Sequence, residues 1–232
     1  MGSRHLRLGL LWTTLGLGAA AIAREIDVAS LAAPYGSAIA LAAMLIAIAL
    51  PLALVLAGLR DLVLTARALF RARAAEGLAH VLRAKLSDEY VVIPRYRPRD
   101  DGDDEVGLVV VGPSGIVVIE ARGDRGQLVC YQDHWFRGTG GHTHRIDDSP
   151  SKRARWNATR VRNDVAIGGF IRTPVDAIVV FTVGRVSEAS SSSVPVMEGV
   201  DQVLAYLHRA EPRTEASPQR RRALTQALGA SA

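Results

Sequence analysis

The sequence predicts an α/β domain, with a mixed β-sheet flanked by helices, that follows two transmembrane helices, or one in the alternative interpretation. Three observations lead to this prediction. The 232-residue chain has a positive mean hydropathy of +0.15, and its apolar excess lies near the N-terminus. The rest of the chain alternates between short β-branched runs and longer amphipathic runs. Cys130 is the only cysteine, which excludes a disulfide-stabilised scaffold.

Residues 38–59 form the strongest apolar segment, because no charged residue occurs among them. A helix rises 1.5 Å per residue, so the segment would span roughly 33 Å, enough to cross a hydrocarbon layer of ~30 Å. Pro51 lies inside it, where a membrane helix tolerates a kink. The alternative, a buried helix of a soluble core, is seldom so long and so uniformly apolar. We therefore predict a transmembrane helix.

Residues 8–23 form a second uncharged run, flanked by Arg7 and Arg24. This run is either a short first transmembrane helix or the apolar part of a signal peptide. The second interpretation rests on the basic N-terminus and on the small-x-small pattern Ala-Ile-Ala at residues 21–23. We favour the retained helix, and whether residues 1–23 are cleaved stays open.

The charges on either side of residues 38–59 predict the topology. The preceding residues 24–35 carry one Arg, one Glu and one Asp. Basic residues predominate after the segment, at Arg60, Arg67, Arg71 and Arg73. The positive-inside rule then places everything after residue 59 in the cytoplasm. The sequence thus predicts anchoring in the cell membrane, with the lipid bilayer as a partner and a cytoplasmic C-terminal domain.

The first elements of the C-terminal domain follow from spacing and turn residues. Residues 60–86 have the leucine and arginine spacing of a helix, and residues 90–93 form a short strand. Two longer strands are predicted at residues 106–111 and 116–122, joined by the turn Gly-Pro-Ser-Gly at residues 112–115. This order predicts a helix followed by antiparallel strands.

The second half of the domain continues the alternation. Residues 128–131 and 135–136 predict another strand pair, and residues 138–148 predict a polar, glycine-rich loop. Ser149 and Pro150 have the residue types of an N-cap and of the first position of a helix. The last predicted elements are a buried strand at residues 175–183, a helix at 200–207 and a weak helix at 219–228.

These patterns divide the chain into four parts. They are a membrane anchor at residues 1–59, with helices at about 8–23 and 38–59, a basic juxtamembrane helix at residues 60–75, the α/β domain at residues 76–210, and a polar basic tail at residues 211–232.

Glu120 and Arg122 carry the clearest chemical signal, at the end of the second long strand. Because side chains alternate along a strand, both point to the same face of the sheet. A carboxylate in this position can ligate a divalent metal, and a neighbouring cation can stabilise the charge that develops on a phosphate. The alternative interpretation is an ion pair at a strand end.

The segment Val-Gly-Pro-Ser-Gly-Ile-Val-Val-Ile-Glu at residues 111–120, followed by Arg122, resembles the nuclease-related domain (NERD). This family is a branch of the PD-(D/E)xK nuclease superfamily. The resemblance covers roughly residues 74–185 and includes the first helix, Trp135 and the proline-led helix in the family's order. It implies a restriction-endonuclease-like fold and assigns residues 76–210 to a NERD-like domain.

The resemblance also implies a metal site of four positions. Glu120 matches the family's glutamate, and Arg122 stands at the lysine position. The metal-binding aspartate falls on Gly107, and the acid of the first helix falls on Leu78, with Glu76 displaced by two residues. The chain therefore keeps one expected acid in place, and we expect weak or lost cleavage.

A rearranged site is the alternative to lost cleavage. A Mg²⁺ ion needs two or more protein oxygens, and Glu105 could join Glu120 as its second ligand, since it lies two residues from Gly107. In that case Glu120, Arg122 and Glu76 would be the catalytic residues of a working nuclease, with Mg²⁺ as the cofactor.

A basic face is predicted on the proline-led helix, opposite its apolar stripe. It would consist of Lys152, Arg153, Arg155, Arg160 and Arg162, with Trp156 among them. Such a face could follow the phosphate backbone of DNA or RNA. The alternatives are a solvated arginine face, or one paired with the acidic turn at residues 100–105.

Three functions remain after these steps. The first is a membrane-anchored nuclease-related domain that binds nucleic acid with weak or lost cleavage. The second is an active metal-dependent nuclease with a rearranged acidic site. The third is a membrane-tethered interaction module without enzymatic activity. Whether the chain is an enzyme therefore stays open.

Overall fold

A computed structural model describes residues 2–25, 36–100, 104–209 and 217–229 of the chain. The chain divides into two compact units, Met1–Leu69 and Phe70–Ala232. The first unit holds the predicted transmembrane segments and the second holds the α/β domain.

Two helices form the first unit, α1 at Gly2–Glu25 and α2 at Ser37–Lys85, whose last turns belong to the second unit. Both are long and apolar enough to cross a membrane. They pack closely at glycines: a Cβ atom on Gly16 would lie 2.9 Å from the carbonyl oxygen of Pro51. Close approach of this kind requires small residues, as is common between membrane helices. The two uncharged runs are therefore helical, as predicted.

The second unit is built around a five-stranded mixed sheet. Its strands have the order β1-β2-β3-β7-β9, in which β1, β2 and β3 are antiparallel neighbours and β7 and β9 join in parallel. Their bounds are β1 Val91–Tyr96, β2 Val106–Gly112, β3 Gly115–Arg122, β7 Val175–Phe181 and β9 Val196–Glu198. All eight residues of β3 are buried, as expected for a central strand.

A second sheet of four strands has the order β6-β5-β4-β8. Its strands are β4 Gln127–Tyr131, β5 His134–Thr139, β6 His142–Ile146 and β8 Arg185–Glu188. The predicted loop at residues 138–148 is thus largely wrong, because Gly140 and Gly141 adopt positive φ angles and turn the chain into a β-hairpin. Strands β8 and β9 were not predicted either, since neither is longer than four residues.

Three further helices complete the unit: α3 Pro150–Ile167, α4 Gly199–Arg209 and α5 Pro218–Ala227. Ser149 caps α3 as predicted, with its hydroxyl accepting a hydrogen bond from the amide of Lys152. Ser217 caps α5 in the same way, with Pro218 at the first helical position. The weak helix predicted near residues 219–228 is therefore present.

Helices cover both faces of the five-stranded sheet. On one face, Leu78 and Leu82 of α2 and Leu207 of α4 pack against β2 and β3. On the other face, Val161 of α3 and Leu224 of α5 fill a second apolar cluster. The mixed α/β architecture with flanking helices confirms the predicted fold class.

The segment after β1 is tied to α3 by polar contacts. The hydroxyl of Tyr96 donates a 2.6 Å hydrogen bond to the buried carboxylate of Asp164. Arg160, also buried, donates from Nη2 to Asp100 at 2.6 Å and from Nη1 to the carbonyl oxygen of Asp104 at 2.8 Å. These contacts hold Asp104 close to α3, and Asp104 is one neighbour of the site described next.

Candidate functional site at the end of strand β3

Glu120 and Arg122 are both buried near the carboxyl end of β3, with 4% and 7% of their surfaces exposed. They pair in register with Val179 and Phe181 of the parallel neighbour β7. Val179 and Phe181 pack against Ala154 of α3, so Glu120 and Arg122 lie on the α3 side of the sheet.

The carboxylate of Glu120 is surrounded by arginines. Its Oε2 atom lies 3.7 Å from Nε of Arg153, and its Oε1 atom lies 3.9 Å from Nη1 of Arg122. Burial raises the pKa of Glu120 above its usual value, while the charges of Arg153, Arg122 and Arg71 act in the opposite direction. The net shift means that the protein disfavours the charged form of this carboxylate.

Three guanidinium groups meet at Asp148, and we call Arg71, Arg122 and Arg153 the guanidinium cluster. Nη1 of Arg71 donates a 2.6 Å hydrogen bond to Oδ2 of Asp148. Nη1 of Arg153 and Nη1 of Arg122 lie 3.6 Å and 3.7 Å from the same oxygen, too far for a hydrogen bond. One carboxylate oxygen therefore satisfies only one of the three groups.

The guanidinium group of Arg122 is bound by Asp124. Its Nε atom donates a 2.8 Å hydrogen bond to Asp124, two residues further along the chain. Its Nη1 atom is buried and has no hydrogen-bond partner among the residues that the structure describes. An unsatisfied donor of a buried cation is costly, and a bound water or anion is one way to satisfy it.

The other two acids of the predicted rearranged site lie among different arginines. Glu105 accepts hydrogen bonds from Nε of Arg95 at 3.0 Å and Nη2 of Arg97 at 2.7 Å. Glu76 lies 3.8 Å from Arg95. Burial acts to raise the pKa of Glu105, but the hydrogen bonds from Arg95 and Arg97 outweigh it and lower that pKa. Arginines thus already bind Glu105, and Glu76 lies beside one of the same arginines.

The residues present do not fit a magnesium ion. In the parts of the chain that the structure covers, no three His, Cys, Asp or Glu side chains are grouped so that they could hold a metal. Mg²⁺ requires near-octahedral oxygen coordination with at least one or two carboxylates free to bind it. Here Glu120 faces arginines, and Glu105 is occupied by Arg95 and Arg97.

The two positions at which the resemblance implies further acids are apolar. Leu78 is 4% exposed and belongs to the apolar cluster between α2 and the sheet. A Cβ atom on Gly107 would lie 3.3 Å from Cβ of Ala75, so any side chain at residue 107 would be in close contact with α2. An aspartate at residue 107 would therefore lie on the α2 side of the sheet, whereas Glu120 lies on the α3 side.

The predicted basic face of α3 divides into three groups. Arg160 is buried and bound to Asp100, and Arg153 belongs to the guanidinium cluster, so neither lies on an open surface. Arg162 is exposed but donates to the carbonyl oxygen of Val175. Lys152 and Arg155 are exposed beside Trp156, whose side chain is 63% exposed. The pairing of Arg160 with Asp100 agrees, for this part of the face, with the alternative prediction of arginines paired with the acidic turn.

Arg71 and Asp148 are the site residues that the sequence interpretation missed. Arg71 was assigned to a juxtamembrane helix, and Asp148 to a loop. Only the packing of α2 beside the start of α3 brings them to Arg122, since Arg71 and Asp148 are 77 residues apart. One sequence signal was available: Asp148 directly precedes the N-cap Ser149, which fixes its position at the start of α3.

Comparisons with known proteins identify this domain. No curated protein and no solved structure gives a significant match to the chain. Residues 71–182 match the family model of NERD, the nuclease-related domain. This range contains β1 to β7 together with α3, and hence Glu120, Arg122, Asp148 and the guanidinium cluster. The part of the chain from residue 71 to residue 182 is therefore a nuclease-related domain and belongs to the NERD family.

Proposed function

We propose that the chain is a membrane-anchored, nuclease-related domain protein that binds nucleic acid and cleaves it weakly or not at all. The observation that carries the proposal is the surroundings of Glu120, whose carboxylate oxygens lie 3.7 Å from Arg153 and 3.9 Å from Arg122, while the charge of Arg71 also acts on it. Guanidinium groups attract phosphate, whereas a divalent metal needs carboxylates.

The outward face of α3 supports binding. Lys152 and Arg155 offer positive charge to a phosphate backbone, and Trp156 offers a ring on which a base can stack. An exposed aromatic side chain between cations is an arrangement suited to nucleic acid rather than to an apolar partner.

The apolar helices support the membrane part of the proposal. Both are long enough to span a bilayer, and the arginines after residue 59 favour a cytoplasmic location for the nuclease-related domain. In that location the domain would have access to DNA and RNA.

The experiment uses the full chain in nanodiscs of neutral lipid. Fluorescence anisotropy of a labelled oligonucleotide is measured over a salt series, and gel analysis follows cleavage with EDTA, Mg²⁺ or Mn²⁺. We expect salt-dependent binding that is independent of the metal, with little or no cleavage. Binding should weaken in the Lys152→Gln/Arg155→Gln variant.

Two results would contradict this proposal, and each favours one alternative. Rapid Mg²⁺-dependent cleavage that Glu120→Ala abolishes in a folded protein would establish an active nuclease with a rearranged site. Absence of oligonucleotide binding even at low salt would favour a membrane-tethered interaction module.

A further inference from the structure

Asp148 occupies a position in which a phosphate group would make better contacts. Its Oδ2 atom faces Nη1 atoms of Arg71, Arg122 and Arg153 at 2.6, 3.7 and 3.6 Å. Of these three atoms only that of Arg71 makes a hydrogen bond to the carboxylate. A planar carboxylate on a short side chain cannot reach all three groups at once.

A phosphate group differs from this carboxylate in shape and in number of oxygens. Its oxygens point in tetrahedral directions, so separate oxygens can accept from separate guanidinium groups. Nη1 of Arg122 is the decisive atom, because it is buried, lies 3.7 Å from Asp148 and finds no hydrogen-bond partner within the described part of the chain. Binding of a phosphate would satisfy this donor.

A ligand in solvent can also reach the guanidinium cluster. Asp148 keeps 39% of its side chain exposed, and Arg71 and Arg153 keep 26% and 19%, whereas Arg122 keeps 8%. The cluster thus opens to solvent at Asp148 and is closed at Arg122. A ligand enters by displacing the carboxylate and not by disrupting the core.

We propose that the guanidinium groups of Arg71, Arg122 and Arg153 form a binding site for a phosphate group, and that the carboxylate of Asp148 fills this site when no ligand is bound. The inference deepens the proposed function, and it rests on that function for the source of the phosphate, which is the backbone or terminus of a nucleic acid. A free phosphate compound is the other source with the same chemistry.

Asp148 also limits the affinity of the site. Acidic groups already surround the cluster, since Glu120, Asp124 and Asp104 lie within 3.9 Å of its guanidinium nitrogens. A displaced Asp148 adds one more negative charge close to the bound phosphate. Removing that charge should therefore tighten phosphate binding. If Asp148 only stabilised the fold, its removal would not increase the affinity for phosphate.

The test compares the native chain with Asp148→Asn, both full-length in neutral nanodiscs. Inorganic phosphate is added against chloride at constant ionic strength, and binding is read from the rise in the thermal unfolding midpoint. We expect Asp148→Asn to bind phosphate about tenfold tighter than the native chain, since a charged hydrogen bond is worth roughly one such factor. Near-UV circular dichroism checks that the variant is folded.

Two further variants make the result specific. Asp201→Asn removes the same charge from an exposed carboxylate that pairs with Lys85 outside the cluster, and its phosphate affinity should equal that of the native chain. Asp148→Asn/Arg153→Gln also removes one guanidinium group, and this double variant should not show the higher phosphate affinity expected of Asp148→Asn. Equal phosphate affinities of Asp148→Asn and Asp201→Asn would overturn the inference.

A parallel titration with an oligonucleotide identifies the source of the phosphate. Tighter oligonucleotide binding by Asp148→Asn supports both the site and the proposed function. A gain for inorganic phosphate, with no oligonucleotide binding by any variant, supports the site, assigns it to a free phosphate compound and contradicts the proposed function.

Discussion

A Cβ atom on Gly107 would lie 3.3 Å from Cβ of Ala75, which places this glycine of β2 directly against helix α2. The contact is tighter than ordinary van der Waals separation, and Ala75 has no flexible side chain that could move away. The position to which the resemblance assigns a metal-binding aspartate is therefore part of the helix–sheet packing in this chain.

The first prediction concerns this contact. Gly107→Ala should lower the free energy of unfolding by about 1–3 kcal/mol, because it overpacks the interface with Ala75. Gly77→Ala in α2 is the matched control, since a Cβ atom there would meet no atom of the described residues within 4 Å. This change should raise the free energy of unfolding by up to ~1 kcal/mol through helix propensity. Urea unfolding measures both, and equal effects of the two variants would contradict the packing argument.

The same contact argues against restoring the metal site by simple substitution. Gly107→Asp would require α2 to shift, and Leu78→Glu would place a carboxylate in an apolar cluster. We do not expect this pair of changes to restore Mg²⁺ binding in a folded protein.

The second prediction concerns pH and Glu120. Its pKa is raised in the folded protein, so the folded state binds this proton more tightly than the unfolded state does. The stability contributed by protonated Glu120 is fully present below the pKa of a glutamate in the unfolded chain, ~4.3. It is lost as the pH rises through the pKa of Glu120 in the folded protein. Glu120→Gln should therefore unfold at higher urea concentration than the native chain at pH 7, and this advantage should shrink towards pH 4. A destabilised variant at pH 7 would contradict the prediction.

The third prediction separates two basic residues of α3. Arg160→Gln should destabilise the domain by about 1–3 kcal/mol, because it removes the hydrogen bonds that buried Arg160 donates to Asp100 and to the carbonyl oxygen of Asp104. Lys152→Gln should leave stability unchanged. It should instead make the slope of log K against log salt concentration for nucleic-acid binding shallower by roughly one unit, because one fewer counterion is released. Thermal unfolding and a salt titration measure the two effects. The prediction fails if the two variants change the same property.

The fourth prediction concerns Trp156. Trp156→Ala should weaken oligonucleotide binding about tenfold, and Trp156→Phe should lose much less, because a phenyl ring still stacks on a base. Tyr131→Ala is the control: Tyr131 has a similar exposure of 64% but lies on β4, and its loss should affect binding much less than the loss of Trp156. Anisotropy titrations measure all three. Similar losses for Trp156→Ala and Tyr131→Ala would exclude a specific stacking role.

The fifth prediction concerns topology. Basic residues follow the apolar segment at residues 38–59, so a fusion after Arg73 should lie in the cytoplasm. A reporter that works only in the cytoplasm should therefore be active when it is fused there. Activity from a reporter that works only after export would contradict both the topology and the access of the domain to cytoplasmic nucleic acid.

Much of the architecture could be predicted because it depends on local patterns. The charge-free run at residues 38–59 is helical, and Ser149 with Pro150 starts a helix as their residue types require. The turn at residues 112–115 joins two antiparallel strands, and their alternation places Glu120 and Arg122 on the same face. The family resemblance rested on this segment, and the match at residues 71–182 confirms it.

Short strands and positive φ angles were less predictable. Strands β8 and β9 have four and three residues, and such runs form strands only because neighbouring strands supply their hydrogen bonds. The hairpin of β5 and β6 depends on the backbone conformations of Gly140 and Gly141, which the glycine-rich composition allowed but did not specify.

By itself, the sequence determined the two apolar helices, the family of the domain and the presence of an acid and a base at residues 120 and 122. Only the tertiary structure decided which charges surround them. Arg71 reaches Asp148 across 77 residues, whereas Arg160 is buried against Asp100 and Glu105 is bound by Arg95 and Arg97. The physical reason is that the partner of a charge depends on distance and burial in the folded chain, and residue type fixes neither.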